Sequence, residues 1–279
     1  MTTTLRPTGP IQHEAAGGRS RAYEVCVNGR PVGAIELATH RSLGPTTGTI
    51  RSLTVDEADR RRGRGTVAAL AAEEVLRAWG CRQVVVSVPP EATAALRLST
   101  ALGYVERSRN MVKQMSAGPP PLPPGTAARP MSEAEFEPWR RAAVAAYAQS
   151  WADRGLSPQQ ARAKSTADHE RALPQGLATP GTWLRVLSSG EERLGTLFAG
   201  RTEVLPGEQG VYVYDVEVRA AHRGQGHGRS LMLLAEHIAR DAGLGLVGLH
   251  VFAANTPAVR LYESLGYRVT AVNAAKPLL

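Results

Sequence analysis

The sequence predicts an α/β protein made of two tandem domains, each a central mixed β-sheet flanked by helices. Three observations predict it. The chain has 279 residues, about twice the length of an average domain. A pattern of identical residues recurs at a fixed offset of 163 positions: Val55 matches Val218, Arg60 Arg223, Gly63 Gly226, Gly65 Gly228, Gly80 Gly243, Ala95 Ala258, Arg97 Arg260, Leu98 Leu261, Gly103 Gly266 and Tyr104 Tyr267. A proline-rich segment, SAGPPPLPPGTAARP at 116–130, separates the two occurrences; it can neither sustain a helix nor join a central strand, so it reads as a stiff linker. The expected domains are 1–115 and 131–279.

The elements follow in order from periodicity. In the first copy, 23–37 reads as a hairpin turning at Asn28-Gly29, a strong two-residue turn signal. The second copy opens with two amphipathic segments near 133–154 and 157–173 that have no counterpart in residues 1–20. Helices placed before a sheet commonly line a substrate cleft, so this asymmetry hints that the second copy does the chemistry. Residues 183–187 and 194–199 are strand-like runs separated by Ser188-Ser189-Gly190. Val211, Val213, Val216 and Val218 mark a strand buried mainly on one side. Leu231, Leu234, Ala235 and Ile238 recur at helical spacing until Gly243 stops them. A strand over 246–252, a short helix over 256–265 and a last strand from 267 complete the copy.

Composition excludes several classes. Hydrophobic residues at 43% and charged residues at 21% rule out disorder over the whole chain. No apolar run approaches the 18 or so residues of a membrane-spanning helix, and nothing in the N-terminal stretch marks it for export. Cys26 and Cys81 are too few for a disulfide scaffold or a zinc site; they read as reduced residues of a cytoplasmic protein, with no metal. The net charge of +8 is uneven, because residues 1–115 carry 16 basic and 10 acidic residues and the remainder 17 and 15. Its densest point, Arg60, Arg61, Arg62 and Arg64, suits one polyanionic ligand rather than a duplex, and no nucleic-acid motif accompanies it.

Between a predicted strand and a predicted helix lies Arg223-Gly224-Gln225-Gly226-His227-Gly228. Alternating glycines allow a tight turn that presents successive amides at a helix N-terminus, where the dipole favours a diphosphate. A nucleotide-hydrolase loop would need Gly-Lys-Ser/Thr, yet Lys113, Lys164 and Lys276 are the only lysines and none follows a glycine. A dinucleotide fingerprint would need a third glycine at a spacing that Arg229 and Leu231 do not supply.

This loop, with Arg223, Gly226 and Gly228 directly after a Val-ended strand, precedes by some 30 residues the pattern Asn255, Ala258, Leu261, Tyr262, Gly266 and Tyr267. In that order the two motifs resemble the GNAT superfamily of acetyl-CoA-dependent N-acetyltransferases, well over 129–279 and more weakly over 20–115; the tandem arrangement resembles that of mycothiol synthases. The resemblance implies two GNAT-fold domains and acetyl-CoA as cosubstrate. Its diphosphate would lie on Arg223, Gly224, Gln225, Gly226, His227, Gly228 and Arg229, and its pantetheine would run along Val216 and Val218 and reach Asn255, which can also cap its helix. The strand holding Val216 and Val218 would splay from the next one, and an amide near Val218 would polarise the thioester oxygen. Tyr262 would protonate the departing thiolate.

From the strand's alternation, Asp215 and Glu217 share a face, and an amine nucleophile must lose a proton. Glu217 is the first candidate base, directly or through water, and Asp215 the second; a solvated strand face is the bland alternative. The acceptor expected is a small-molecule or peptide amine, with no nucleic-acid or membrane partner, in a protein that is monomeric if its copies pair internally. The rival is a CoA-binding regulator or pseudoenzyme without turnover. In the first copy Ala92, Ser99, Ser52 and Thr54 stand opposite Asn255, Tyr262, Asp215 and Glu217. Chemistry is absent there, while Val55, Arg60, Arg61, Arg62, Gly63, Arg64, Gly65 and Thr66 form a candidate second CoA site.

Overall fold

A computed structural model describes residues 2–13, 17–115, 118–153 and 156–278. Ser116 and Ala117 of the proline-rich segment, and Arg154 at the end of a predicted helix, lie outside the described residues. The order in the first half is β1 (Thr3–Pro7), β2 (Gln12–His13), β3 (Arg19–Val27), β4 (Arg30–His40), β5 (Gly44–Val55), α1 (Arg64–Ala78), β6 (Gln83–Val88), α2 (Thr93–Ala101) and β7 (Val105–Gln114). The second half continues with β8 (Ala127–Pro130), α3 (Glu133–Ala152), α4 (Pro158–Ala172), β9 (Thr182–Ser189), β10 (Glu192–Leu205), β11 (Glu208–Val218), α5 (His227–Asp241), β12 (Leu246–Phe252), α6 (Thr256–Ser264) and β13 (Arg268–Pro277).

Local chemistry explains these elements. Asn28 and Gly29 both take positive φ, 49° and 83°, which matches the twist of the strands they join. Helix α3 starts in a capping box of Ser132 and Glu135. Arg129 grips the same carboxylate through two bonds of 2.7 Å, and this pairing holds Glu135 down at about 2. The proline-rich segment is shorter as a linker than the sequence suggests. Residues 127–130 form β8, antiparallel to β9, at the outer end of the strand order, the position where a proline costs no ladder bond.

The chain forms two compact units that do not follow a cut at the proline-rich segment. One comprises Met1–Arg109, Phe252–Ala254 and Thr270–Leu279, the other Asn110–Val251 and Asn255–Val269. In the first unit the strand order is β1-β3-β4-β5-β6-β13, with β2 on β3; in the second it is β7-β12-β11-β10-β9-β8. The closing strand of each copy has thus joined the unit of the other. Val272–Pro277 of β13 pair antiparallel with β6, and Ala274 sits in the core around Val32, Ile35, Leu76 and Val84. Met111 of β7 sits in the core around Leu197, Val211, Leu231 and Val247.

A duplicated ion pair fixes this exchange. Lys113 of β7 places Nζ 2.8 Å from both carboxylate oxygens of Glu236 on α5, which is 1% exposed, and 5.9 Å from the ring centre of Tyr267. At the 163-residue offset, Lys276 of β13 meets Glu73 on α1 at 2.7 Å and lies over Tyr104 at 5.7 Å. Two of the three lysines are spent this way. A buried carboxylate without its cation is strongly destabilising, so each lysine specifies where its strand belongs.

Candidate active site in the second unit

The centre of the site is a break in β11. Val213 lies opposite Ala199 and Asp215 opposite Phe198, so Tyr214 is an extra residue, a β-bulge. Parallel pairing with β12 covers only Val211–Val213 against Val247–Leu249. Beyond the bulge the two strands share no paired residues, leaving a slot between them. The predicted splay is present. The first copy repeats it: Arg51 is the extra residue between Ile50 and Ser52, and β5 pairs with β6 only over Thr47–Thr49.

At the slot's end the glycine loop turns into α5. Gly224 and Gly226 take φ of 78° and 86°, the left-handed region, and Gly226 is the N-cap of α5. The amides of Gly224, Gln225 and Gly226 donate to no backbone carbonyl among the described residues, so the turn presents free donors at a helix N-terminus. Other loop side chains are structural in this state. Arg223 donates from Nε to the Val218 carbonyl at 3.2 Å, Gln225 donates to the Ala221 carbonyl at 3.3 Å, and Arg229 ties α5 to α6 through Ser264 Oγ at 2.8 Å. His227 stands edge-on to His222, whose Nε2 is 3.1 Å from Glu192.

Across the slot, Asn255 is the N-cap of α6, and its Oδ1 accepts from the Ala258 N–H at 3.3 Å. Two turns later Tyr262 is half-buried, and burial first, then the Asp215 charge, pushes its hydroxyl up to about 12. Asp215 is half-buried too. Burial, followed by the neighbouring Glu217, raises it to about 6, and only the Val216 N–H opposes the shift. Asp215, Tyr262 and Glu217 are therefore brought within one electrostatic neighbourhood.

Glu217 is exposed and lines a cleft of about 410 Å³ with Trp139 of α3, Arg193, Thr196 and Arg219. Thr196 is its direct cross-strand partner. Trp139 packs edge-on against Phe198 at 5.5 Å, seating α3 over this face of the sheet. None of these cleft partners announces itself in the sequence, because only the strand register and the packing of α3 bring them together. Gly195 was also illegible. A methyl group there would overlap the backbone carbonyl of Glu217, so the close approach of β10 and β11 at the site demands glycine.

The first copy keeps the loop but has other side chains at the positions of the candidate site. Gly63 caps α1 at φ 73°, Arg61 takes φ 59° in the same left-handed region as Gly224 at the matching position of the second copy, and Arg60 Nε donates to the Val55 carbonyl at 2.8 Å. Gly65 packs near Leu98, and Thr66 lies in the first turn of α1. Arg64, however, turns inward, buried with Nε 4.0 Å from Asp59, while Arg62 is exposed on the loop. Ser99 is bound back to the Leu96 carbonyl of its own helix at 2.9 Å, and Ala92 caps α2 without a side-chain bond.

The sequence profile of the acetyltransferase (GNAT) family matches residues 4–104 and 136–267, and the chain belongs to that family; it is an acetyl-CoA-dependent N-acetyltransferase of tandem type. It is 31% identical over 256 residues to a mycothiol acetyltransferase of Cellulomonas flavigena, covering 86% of this chain and 71% of that one. Among solved structures, a GCN5-related N-acetyltransferase from Sphaerobacter thermophilus superposes with a TM-score of 0.58 at 23% identity over 92% of this chain and 80% of the other. A tandem GNAT protein from the clavulanic acid biosynthesis pathway superposes with a TM-score of 0.51 at 18% identity, covering 96% and 85%. The last two likenesses bear on the fold. No described helix is long and apolar enough to cross a membrane.

Proposed function

We propose that the second copy transfers an acetyl group from acetyl-CoA to a primary amine. One observation carries this reading: a half-buried carboxylate, Asp215, stands at the slot within electrostatic reach of Glu217 and Tyr262, and among the described residues no basic side chain offsets its charge. Such a group is costly to the fold and suited to accepting a proton. The acetyl-CoA diphosphate rests on the free amides of the 224–228 turn, and the pantetheine runs along Val216 and Val218 toward Asn255. An ammonium group beside Glu217 gives one proton to a carboxylate of the strand, Glu217 or, directly or through water, Asp215, whose hold on a proton is raised by burial and by the neighbouring Glu217. The neutral amine attacks the thioester carbon, the C–S bond breaks as Tyr262 donates its proton to the sulfur, and the second proton of the attacking nitrogen passes through water to the Tyr262 phenolate, leaving a neutral amide and a free thiol.

The coupling between Asp215 and Tyr262 assists the last step. The charge on Asp215 is part of what holds the phenol proton. Once Asp215 is protonated that contribution vanishes, and Tyr262 becomes a stronger acid as the thiolate departs. The first copy, with Ser52, Thr54 and Ser99 at the matching positions, has no group for either transfer. Its 60–66 loop retains the shape for a diphosphate without the chemistry.

Calorimetry with acetyl-CoA on the full chain tests the assignment. Gly226→Val, which forces a side chain into left-handed backbone, should abolish binding at the second copy and thiol release with it, whereas Gly63→Val should leave turnover intact. Unchanged acetyl-CoA affinity and stoichiometry in a folded Gly226→Val protein would overturn the reading.

A further inference from the structure

Three residues that line the cleft beside Glu217 carry polar atoms that the fold leaves unused. Trp139 Nε1, Thr196 Oγ1 and Arg193 Nε are buried and form no hydrogen bond, although Trp139 and Thr196 are only 4% and 1% exposed. Buried polar groups are paired in roughly nine cases of ten, so three unpaired ones on residues that line a single cavity point to a ligand. The shared fold does not require them. At the first copy's counterpart of the Thr196–Glu217 pair stand Ala34 and Thr54, and among the described residues no α-helix precedes that sheet where α3 covers this one.

The set has a definite chemical sense. The indole and guanidinium nitrogens are donors only, the threonine hydroxyl can donate, and the exposed guanidinium of Arg219 stands at the same cleft. Glu217 is its one carboxylate. Donors gathered around a cavity of small-molecule size complement an oxyanion, and the carboxylate complements an ammonium group.

We infer that this cleft is an acceptor subsite for a small amine that also carries an anionic oxygen group, a carboxylate or a phosphate, with Trp139, Thr196, Arg193 and Arg219 receiving the oxyanion and Glu217 facing the nitrogen. This rests on the second copy being the transferase and narrows its acceptor. Trp139 and Thr196 determine specificity, and neither takes part in proton transfer.

Matched pairs of amines test it on the full-length protein: 4-aminobutyrate against butylamine for a carboxylate, and 2-aminoethyl phosphate against ethylamine for a phosphate. Calorimetry without acetyl-CoA measures binding, and thiol release with acetyl-CoA measures transfer. The anionic member of at least one pair should bind 10-fold or more tightly than its partner, and which pair responds identifies the oxyanion. Thr196→Val and Trp139→Phe should each weaken that binding roughly 10-fold, the size of a lost bond to a charged group, and leave acetyl-CoA affinity unchanged. Thr196→Val should also raise the thermal midpoint, since it deletes a buried, unpaired hydroxyl; a structural threonine would do the opposite. Equal affinity within both pairs, or variants that bind the anionic amine as the parent does, would overturn the subsite. Tight binding of an anionic amine with no thiol release would keep the subsite and refute transfer in this copy; release from plain amines, unaffected by either variant, would do the reverse.

Discussion

Asp215→Asn should make the protein more stable at neutral pH and less active. Asp215 is held at about 6 in the fold against an ordinary 3.8. The folded state keeps this proton more tightly than the unfolded chain, so the stability it contributes is complete below about pH 4. That contribution is lost as pH rises through the interval to about 6. At about 1.4 kcal/mol per pH unit the loss is about 3 kcal/mol, an order-of-magnitude figure for a carboxylate coupled to Glu217. Asparagine, neutral throughout, escapes it. The variant should match the parent near pH 3.5 and exceed it at pH 8 by up to about 3 kcal/mol, roughly 6–12 °C in midpoint for a unit of this size. Thermal unfolding of both proteins at the two pH values measures the gap, and thiol release at pH 8 should fall at the same time. The phenol of Tyr262, relieved of the Asp215 charge, should titrate below about 12 in the variant. A gap of equal size at both pH values, or a variant less stable at pH 8, would refute the claim that an uncompensated carboxylate is kept here for function.

Tyr262→Phe should lower kcat roughly 10²-fold in steady-state assays with little change in the Michaelis constant for acetyl-CoA. Because the Tyr262 hydroxyl is held at about 12, any loss of activity between pH 8 and 10 in the parent should persist in the variant. Lys113→Met leaves Glu236 buried without its cation and should cost about 3–5 kcal/mol in denaturant unfolding; adding Glu236→Leu should recover most of that. Gly195→Ala drives a methyl into the Glu217 carbonyl and should cost about 1–3 kcal/mol by the same measurement, with a fall in kcat as β10 and β11 separate.

The sequence by itself determined the duplication, the element order and the glycine turn, because each is written in local pattern. Gly63 and Gly226 adopt left-handed backbone as N-caps of α1 and α5, as expected of glycines at a strand-to-helix turn. The strand 246–252 and the turn at Asn28-Gly29 follow from periodicity and turn chemistry alone. Only the tertiary structure decided what depends on partners distant in the chain. Nothing local shows that Tyr214 is the extra residue that opens the slot, since a bulge is defined by the strand opposite. Lys113 and Lys276 are ordinary residues of a last strand until Glu236 and Glu73 draw those strands into the other unit. Asp215 and Glu217 look alike as alternating carboxylates, and burial is what separates them. It raises Asp215 while Glu217 remains at the cleft mouth, because a charge loses solvation in proportion to the low-dielectric matter around it, and that matter is assembled only by folding.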